Sequence, residues 1–436
     1  MSEWSRTTTA DLIDSATLEI GDGYRAKNVE FVRGGGLPFV RVGDVGVSSI
    51  NLSGVDQLPA GNAAKYGSKV SQSGDSLITM KGTVGRVAFV APGIERFVYS
   101  PQISYWRSHD KERLDPRWLR YWLESPEFTR QASASKGATD MADYINLRDQ
   151  RRMTITLPPV CVQRQIADVL ADVDELIDNS RRRVAVLEEM GRAIYREWFV
   201  HFRYPGHESR RLVESQLGFI PQGWNVRCLT DLARVDKGLS YKGVFLTESG
   251  TPMANLKCFR PGGGFRRAGT KPYSGPYKSA HEVVPGDLIM ANTDLTQAGT
   301  VIGSPAFVSQ RDFADGGIIS HHLFAIRPTQ QHLSQWLYES FCDARFRAYA
   351  RGVASGTTVL GFRPADLNAY RLVVPPHELL EEFDDLRGGL ARLVEGLEDM
   401  SDKLTEVRSH ILPRLVTGQI DASLLIPDTL AEGSAA

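Results

Sequence analysis

The sequence predicts an α+β protein made as a tandem repeat, in which two globular domains are joined by two long antiparallel coiled-coil helices with pseudo-two-fold symmetry. Three observations predict this class. A chain of 436 residues is too long for a single core of ordinary size. The diprolines Pro158-Pro159 and Pro375-Pro376 lie 217 positions apart, and each precedes a long amphipathic pattern. Short β-prone runs broken by Gly, Pro and Asn fill the chain before each diproline.

Sequence matches in a fixed order support the duplication. "SGDSLITMKGT" from Ser73 corresponds to "PGDLIMANTDL" from Pro285, and "PRWLRYWLES" corresponds to "SQWLYESF". Similarity at a nearly constant offset is the signature of a repeat. The predicted boundaries are a first domain at 1–157, a central spacer helix at 158–203, a second domain at 204–374, a C-terminal spacer helix at 375–425 and a flexible tail at 426–436.

The two helical patterns predict a coiled coil. In the second helix one apolar row recurs every seven residues, and a second row fills the intermediate spacing: Phe383, Leu390, Leu397, Leu404, Ile411, and Leu386, Leu393, Met400, Val407. The first helix keeps the same register through Ile166, Val169, Val173, Leu176, Leu187, Met190 and Ile194. Ser180 and Arg183 interrupt it, either as a local flaw or as a polar layer that fixes the register.

The connectivity of the chain predicts how the two helices pair. The first helix leaves the first domain and runs to the second, whereas the second helix begins at the second domain. If the apolar rows pair, the helices must run antiparallel with one domain at each end. About forty residues of helix span roughly 60 Å. The helices would then act as a spacer between the domains.

Composition excludes several classes of protein. The four cysteines (Cys161, Cys228, Cys258, Cys342) form no C-x-x-C pair, which favours reduced thiols in a cytoplasmic protein. No apolar run approaches the roughly 18–20 residues of a membrane span. The near-neutral total hides an uneven charge, because residues 204–374 carry 19 basic and 13 acidic side chains, and residues 375–436 carry 5 and 13. A block this basic is compatible with a polyanionic partner.

Catalytic motifs are absent from the sequence. There is no G-x-x-x-x-G-K-[ST] phosphate loop, and no lysine has an acidic residue two positions before it. The diprolines lack the neighbours of an amino-methyltransferase loop, since Leu157 and Val374 precede them. His321-His322 has no carboxylate or cysteine at ligand spacing, so a packing or capping role is expected and no metal site. The sequence therefore indicates a protein without catalytic residues of its own.

Basic residues with interleaved tyrosines predict a nucleic-acid surface. Ten basic and three acidic residues lie between Arg227 and Lys278, and equivalent loops follow the repeated "GD-L" strand in each domain. Lys and Arg contact phosphates, while Arg, Lys, Asn and Gln read base edges. The alternative is a solvated basic face with a flexible glycine loop. The candidate DNA-binding residues are Arg41, Lys81, Arg86, Lys237, Lys242, Lys257, Arg260, Arg266, Arg267, Lys271, Asn292 and Gln297.

Three stretches together resemble the specificity subunit of type I restriction–modification enzymes. "PPVCVQRQIADVLADVDELID…RRRVAVLEEMGRAIYREWFVHF" looks like the central region of that family. "GFIPQGWNV" looks like its entry to the second target-recognition domain, and "SHILPRLVTGQID" looks like its C-terminal region. One departure is that the second helix begins "HELLEEF" and lacks a glutamine equivalent to Gln165.

The resemblance implies a non-catalytic subunit that recognises a split double-stranded DNA target. Two methyltransferase subunits and the restriction/translocase subunits would assemble around it, and no membrane is involved. This chain would hold no cofactor, because S-adenosylmethionine, ATP and Mg²⁺ would belong to the partner subunits. A coiled-coil adaptor for other proteins is the alternative, but an adaptor does not need the basic block. A standalone DNA enzyme is a third reading, which the absent motifs disfavour.

Overall fold

The computed structural model describes residues 4–46, 49–134, 145–209, 211–357 and 359–422. The chain divides into two compact units. Unit 1 comprises Met1–Arg181 and Asp399–Ala436, and unit 2 comprises Arg182–Glu398. The tail predicted at 426–436 lies outside the described residues.

Unit 1 combines short strands with short helices. Its strands are β1 (Ser5–Thr8), β2 (Leu18–Asp22), β3 (Leu37–Val40), β4 (Gln57–Leu58), β5 (Ser76–Thr79), β6 (Val87–Phe89), β7 (Val98–Tyr99), β8 (Ile103–Ser108) and β9 (Thr154–Leu157). Its short helices are α1 (Thr9–Asp14), α2 (Ala63–Tyr66), α3 (Pro116–Leu123), α4 (Pro126–Ala134) and α5 (Leu147–Gln150). The long helix α6 (Val160–Tyr195) follows and ends in one π-helical turn, Arg196–Val200.

Unit 2 repeats this composition. Its strands are β10 (Leu212–Ser215), β11 (Gly218–Pro221), β12 (Asn225–Cys228), β13 (Ala233–Lys237), β14 (Leu246–Ala254), β15 (Lys271–Tyr273), β16 (Glu282–Val283), β17 (Leu288–Ala291), β18 (Thr293–Asp294), β19 (Pro305–Phe307), β20 (Gly317–Ile319), β21 (Leu323–Pro328), β22 (Leu360–Gly361) and β23 (Arg371–Val374). Its short helices are α7 (Leu333–Cys342), α8 (Ala344–Val353) and α9 (Pro364–Asn368). The second long helix is α10 (His377–Val416).

Corresponding strands of the two units follow the same order, and unit 2 adds β16 and the pairs β10-β11 and β18-β22. Unit 1 has a sheet ordered β2-β8-β5-β6, a sheet ordered β4-β3-β7 and the pair β1-β9. Unit 2 has β13-β21-β17-β19, β15-β14-β20-β16 and the pair β12-β23. In both units the strand pair joins the start of the domain to the strand that precedes the diproline. The repeat seen in the sequence is therefore also a repeat of strand order.

Each unit contains aromatic residues in its core. In unit 1, Trp106, Trp118 and Trp122 are fully buried, and the rings of Trp122 and Phe128 lie 5.6 Å apart. Burial of such large side chains contributes a major share of the stability of a domain. The same core includes six buried residues from the long helices: Ile166, Ala167, Leu170, Leu412, Leu415 and Val416. Ends of α6 and α10 are thus part of the core of unit 1.

Unit 2 incorporates the other ends of these helices in the same way. Phe199, just beyond α6, meets Phe383 of α10 edge to face at 4.9 Å between ring centroids. Both rings are buried in one cluster with Trp336, Phe341 and Phe346. The helices are therefore anchored to the domains through aromatic contacts as well as through backbone continuity.

The prediction of two buried apolar rows on α10 is partly wrong. The row Phe383, Leu390, Leu397, Leu404 and Ile411 is buried or half-buried, as predicted. The second predicted row is exposed, with exposed fractions of 38% for Leu386, 57% for Leu393, 46% for Met400 and 49% for Val407. Its place in the interior is taken by the neighbouring residues Arg387, Val394, Ser401 and Arg408.

The same correction applies to α6. Leu176 and Met190 are exposed, whereas Ile177 and Val184 are buried. Arg183 is exposed and so does not interrupt the buried row, and Ser180 is a small buried residue whose hydroxyl donates to the Leu176 carbonyl at 2.9 Å. The second row of α6 therefore lies one residue further along than predicted. Ile166, Val173, Leu187 and Ile194 of the first row are buried or half-buried, as predicted.

No helix in the described part of the chain is both long enough and apolar enough to cross a bilayer.

Candidate nucleic-acid interface

Strands of both sheets of unit 2 end at one place. In the first sheet Ala291, the last residue of β17, lies opposite Leu323, the first residue of β21. In the second sheet Ala254 and Ile319, the last residues of β14 and β20, lie side by side. The amide of Ser320, which follows β20, donates to the carbonyl of Ala254 at 2.9 Å and so joins the ends of β20 and β14. Residues 237–242, 255–257, 292–297 and 320–322 follow these strand ends, and we name them the unit 2 strand-end surface.

Unit 1 has an equivalent surface. Thr79 at the end of β5 lies opposite Ile103 at the start of β8, and Val40 at the end of β3 lies beside Tyr99. The amide of Ser100 donates to the Val40 carbonyl at 3.0 Å, as Ser320 does in unit 2. Residues 23–25, 41, 80–86 and 100–102 form the unit 1 strand-end surface. Loops carried on rigid strands are the usual place for residues that bind a ligand.

Five of the candidate residues belong to the unit 2 strand-end surface. Lys237, Lys242 and Lys257 are exposed there. Gln297 is exposed as well, and its Nε2 donates to the Thr357 carbonyl at 2.7 Å. Asn292 is buried and has a supporting role, because its side-chain amide donates to the carbonyl of His321 at 3.1 Å and its backbone amide donates to the carbonyl of His322.

The three candidates of unit 1 lie on its strand-end surface. Lys81 is exposed in the turn after β5. Arg86 is half-buried, and its Nη1 donates to the Val45 carbonyl at 2.9 Å. Arg41 forms an exposed ion pair with Asp56 at 2.7 Å, and its guanidinium lies about 5 Å from the ring of Phe39. A cation over an aromatic face is held in place while it stays exposed to a phosphate.

The remaining four candidates are distributed differently. Arg260 donates to Glu398 at 2.6 Å and lies 3.6 Å from Glu188, so it binds residues of the long helices. Arg267 lines a cavity beside α10 together with acidic side chains that include Asp384. Arg266 is exposed, and Lys271 is half-buried in β15 opposite Met253. The glycine-rich segment "RPGGGFRR" therefore also contacts the helix side of unit 2.

The loop that carries Gln297 is held by Asp294. Its carboxylate accepts hydrogen bonds from the backbone amides of Thr296, Val301 and Ile302, at 2.7–3.3 Å. Burial would raise the pKa of Asp294, but these hydrogen bonds outweigh burial and hold the pKa below its usual value. The charged carboxylate thus orders a loop that would otherwise be a flexible polar stretch.

Sequence reasoning did not assign a binding role to the turns at 100–102 and 320–322. The structure places Gln102 in one strand-end surface, directly before Ile103, and His321 and His322 in the other, directly before Leu323. A signal for these residues was present, because "SPQI" from Ser100 and "SHHL" from Ser320 occupy equivalent positions, between β7 and β8 and between β20 and β21. Only the pairing of strands shows that the turns at 100–102 and 320–322 lie beside the loops that carry the predicted DNA-binding residues.

A separate cluster of histidines lies at the start of α10. The rings of His332 and His377 stack at 4.2 Å, and Nδ1 of His377 lies 3.5 Å from the Glu381 carboxylate. Potential ligand atoms of these three side chains lie within 4.8 Å of one another. Two of the three residues are exposed, and the cluster joins the first turn of α10 to the start of α7.

Comparison with known proteins yields one consistent family. A family model for the Type I restriction modification DNA specificity domain matches residues 1–189. The MjaIX specificity subunit of a type I restriction enzyme from Methanocaldococcus jannaschii is 20% identical over 363 residues, which cover 81% of this chain and 79% of that protein. The HindI specificity subunit from Haemophilus influenzae is 19% identical over 500 residues, covering 96% of this chain and all of that protein.

A solved structure shows a similar fold. The S subunit of a type I restriction–modification system from M. genitalium superposes with a TM-score of 0.54 at 12% identity, covering 94% of this chain and 96% of that chain. The sequence match of residues 1–189, the relatives matched over most of the chain and this shared fold agree with one another. The resemblance to the specificity subunits of type I restriction–modification enzymes, predicted from the sequence, is therefore confirmed.

Proposed function

We propose that the chain is a non-catalytic specificity subunit that reads a bipartite DNA target, one half with each strand-end surface. One observation carries this proposal: two equivalent surfaces, built on the same strand order, present different side chains. Where unit 2 presents His321 and His322, unit 1 presents Pro101 and Gln102. Equivalent scaffolds with different hydrogen-bonding groups suit two different half-sites, because base edges are distinguished by donor and acceptor pattern.

Lysines on both surfaces supply the charge that DNA binding needs. Lys81 in unit 1 and Lys237, Lys242 and Lys257 in unit 2 are exposed. Each phosphate contact releases counterions, so such residues add affinity for any sequence. The sequence-dependent part of binding then falls to the uncharged residues between them.

The two long helices support a spacer that sets the distance between half-sites. Within unit 2, Gly191 lies against Arg387, and Tyr195 lies 6.2 Å from Phe383. The partner residue moves backward along α10 as α6 moves forward, so the helices run antiparallel there. Within unit 1, Arg408 of α10 donates to Asp174 of α6. We propose that this antiparallel pairing continues along both helices.

The exposed row Leu386, Leu393, Met400 and Val407 is the proposed docking site of the partner subunits. These residues recur every seven positions on one side of α10, which is the spacing that a partner helix recognises. In a specificity subunit the partners are two methyltransferase subunits, with restriction/translocase subunits joining the complex. S-adenosylmethionine, ATP and Mg²⁺ would be bound by those partners, and the present chain would bind none of them.

Mapping of methylated bases tests the function. Genomic DNA from cells that contain this chain and its methyltransferase partner should show one methylated motif with two short halves and a fixed gap. Cells with the methyltransferase alone should lack that motif. Methylation by the purified chain alone with S-adenosylmethionine would refute the non-catalytic assignment, and a continuous motif without a gap would refute the two-surface reading.

A further inference from the structure

The turn at 320–322 is held rigidly between the two sheets of unit 2. The amide of His321 donates to the Leu239 carbonyl at 2.8 Å, and the Leu323 amide donates to the Ser320 carbonyl at 2.9 Å. The carbonyls of His321 and His322 accept from the side chain and the backbone of Asn292. Because these hydrogen bonds hold the backbone of the turn, the Cα–Cβ bonds of both histidines have fixed directions.

The imidazoles themselves form a small ordered cluster. The rings of His321 and His322 lie 3.9 Å apart, and Tyr241 lies 5.9 Å from His321. Nδ1 of His322 lies 2.9 Å from Oγ1 of Thr293, which fixes the plane of that ring. Each histidine is half-buried, so part of each residue remains exposed to solvent.

One atom of the cluster has no hydrogen-bond partner within the described part of the chain. Nδ1 of His321 is buried and forms no hydrogen bond of normal geometry with the described residues, although the ring lies close enough to the backbone of Leu239 for that group to oppose the lowering of its pKa. A buried polar atom without a partner is unfavourable, so its retention in a rigid turn calls for an explanation. A ligand group that reaches into the cluster and pairs with the ring would recover that cost.

The imidazoles are suited to bases and not to phosphates. Burial lowers the pKa of both rings, and the positive charge of Lys237 lowers it further. Both rings are therefore neutral at pH 7.5. A neutral imidazole offers one donor and one acceptor, whereas phosphate binding favours a cation. The exposed Lys237, Lys242 and Lys257 around the cluster supply the cations instead.

From these contacts we propose that His321 and His322, positioned by Thr293, form the centre of unit 2 that hydrogen-bonds the edge of a base and determines part of its half-site. This inference rests on the proposed function, and it names the residues and the class of ligand. A purine is the best fit, because its N7 accepts from a ring N–H and its neighbouring exocyclic group pairs with an adjacent donor or acceptor. Gln102 has the equivalent place in unit 1.

The test selects DNA sequences from a random library with the full chain assembled with its methyltransferase partner. His322→Ala and His321→Ala should relax the base preference about tenfold at one or two adjacent positions of one half-site. The other half-site and the salt dependence of binding should stay unchanged. Thr293→Val, which leaves the turn backbone intact, should alter the same positions because it releases the His322 ring.

Two control variants make the result specific. Gln102→Ala should relax the other half-site only, and Lys237→Ala should weaken binding to every sequence and reduce the salt slope by about one. Unchanged base preference in all three variants of the cluster would overturn the proposal, as would an equal loss at every position. A wild-type complex that selects no motif would instead refute the proposed function.

Discussion

Arg387 shows how much of the fold depends on single charged residues in buried places. It lies on α10 in the row that faces α6, and its Nε donates to Glu339 of α7 at 2.6 Å. Glu339 is 2% exposed and Arg387 is 5% exposed, so neither charge is compensated by water. The guanidinium also lies 5.5 Å from the Tyr338 ring. One ion pair therefore connects the long helix to the domain.

We expect Arg387→Met to destabilise unit 2 by about 3 kcal/mol at pH 8, because the buried Glu339 loses its cation. Burial already raises the pKa of Glu339 against the opposing charge of Arg387, and the variant raises it further. When the pKa of a carboxyl group is higher in the folded than in the unfolded state, the folded protein becomes less stable as pH rises. The penalty should therefore be smaller at pH 5.5 than at pH 8. The free energy of unfolding in guanidinium chloride, measured for wild type and variant at both pH values, gives this penalty.

The control for this prediction is an exposed pair. Arg363 and Asp366 form a salt bridge at 3.0 Å in which the arginine side chain is 81% exposed. Arg363→Met should leave the stability close to that of the wild type at either pH, because solvent screens an exposed pair. The double variant Arg387→Met, Glu339→Gln should recover most of the loss. An equal penalty at both pH values would show that lost packing, and not charge, explains the effect of Arg387→Met.

At the scale of elements, the long helices were predictable and their contact faces only in part. Heptad spacing found both helices and one buried row. It failed for the second row because it counts apolar residues, whereas the structure buries Arg387 and half-buries Arg408 against carboxylates of other elements. The strand-end surfaces could likewise be predicted only in part from the sequence. The pairing of Ala291 with Leu323 is a long-range contact that no local pattern encodes.

Glycines in the two helices offer a test of the revised face. A Cβ at Gly191 would come within 2.6 Å of Nε of Arg387, which Glu339 holds in place. A Cβ at Gly396 would meet no atom within 4 Å. Gly396→Ala should therefore stabilise the protein by about 0.5–1 kcal/mol through helix propensity, and Gly191→Ala should destabilise it. Stabilisation by both variants in thermal melts would contradict the close approach of Gly191 to α10.

The exposed row of α10 leads to a prediction about assembly. Leu393→Asp with Met400→Asp should abolish association with the methyltransferase, because buried carboxylates without cations are costly. The isolated chain should melt within a few degrees of wild type, since both side chains are exposed. Thr405→Asp is the matched control, about 140° around the helix axis from Met400. Size-exclusion chromatography of the mixed subunits gives the readout, and retained binding by the double variant would exclude this row as the docking site.

At the scale of the whole molecule, the proposed function separates two tasks. In that proposal the strand-end surfaces select bases, and the helices set the distance between the two halves of the target. Unit 1 holds α6 as far as Asp174, which binds Arg120 and Arg408, and unit 2 holds α6 from Glu188, which lies near Arg260. Residues 177–183 of α6 and 399–405 of α10 lie between these anchoring contacts along the chain. The length of these two segments can therefore be changed without loss of the contacts that anchor the helices to unit 1 or to unit 2.

Removing 177–183 together with 399–405 takes one heptad from each helix and preserves the phase of the buried rows. The helices should shorten by about 10 Å, which corresponds to about three base pairs of DNA. Methylation mapping should then show the same two half-sites with a gap shortened by up to about three base pairs. Insertion of one heptad at the same places should lengthen the gap by a similar amount. Binding should weaken in both variants, because three base pairs also rotate one half-site by about 100° relative to the other. If a folded variant keeps the original gap, or changes its bases at an unchanged gap, the helices do not set the spacing.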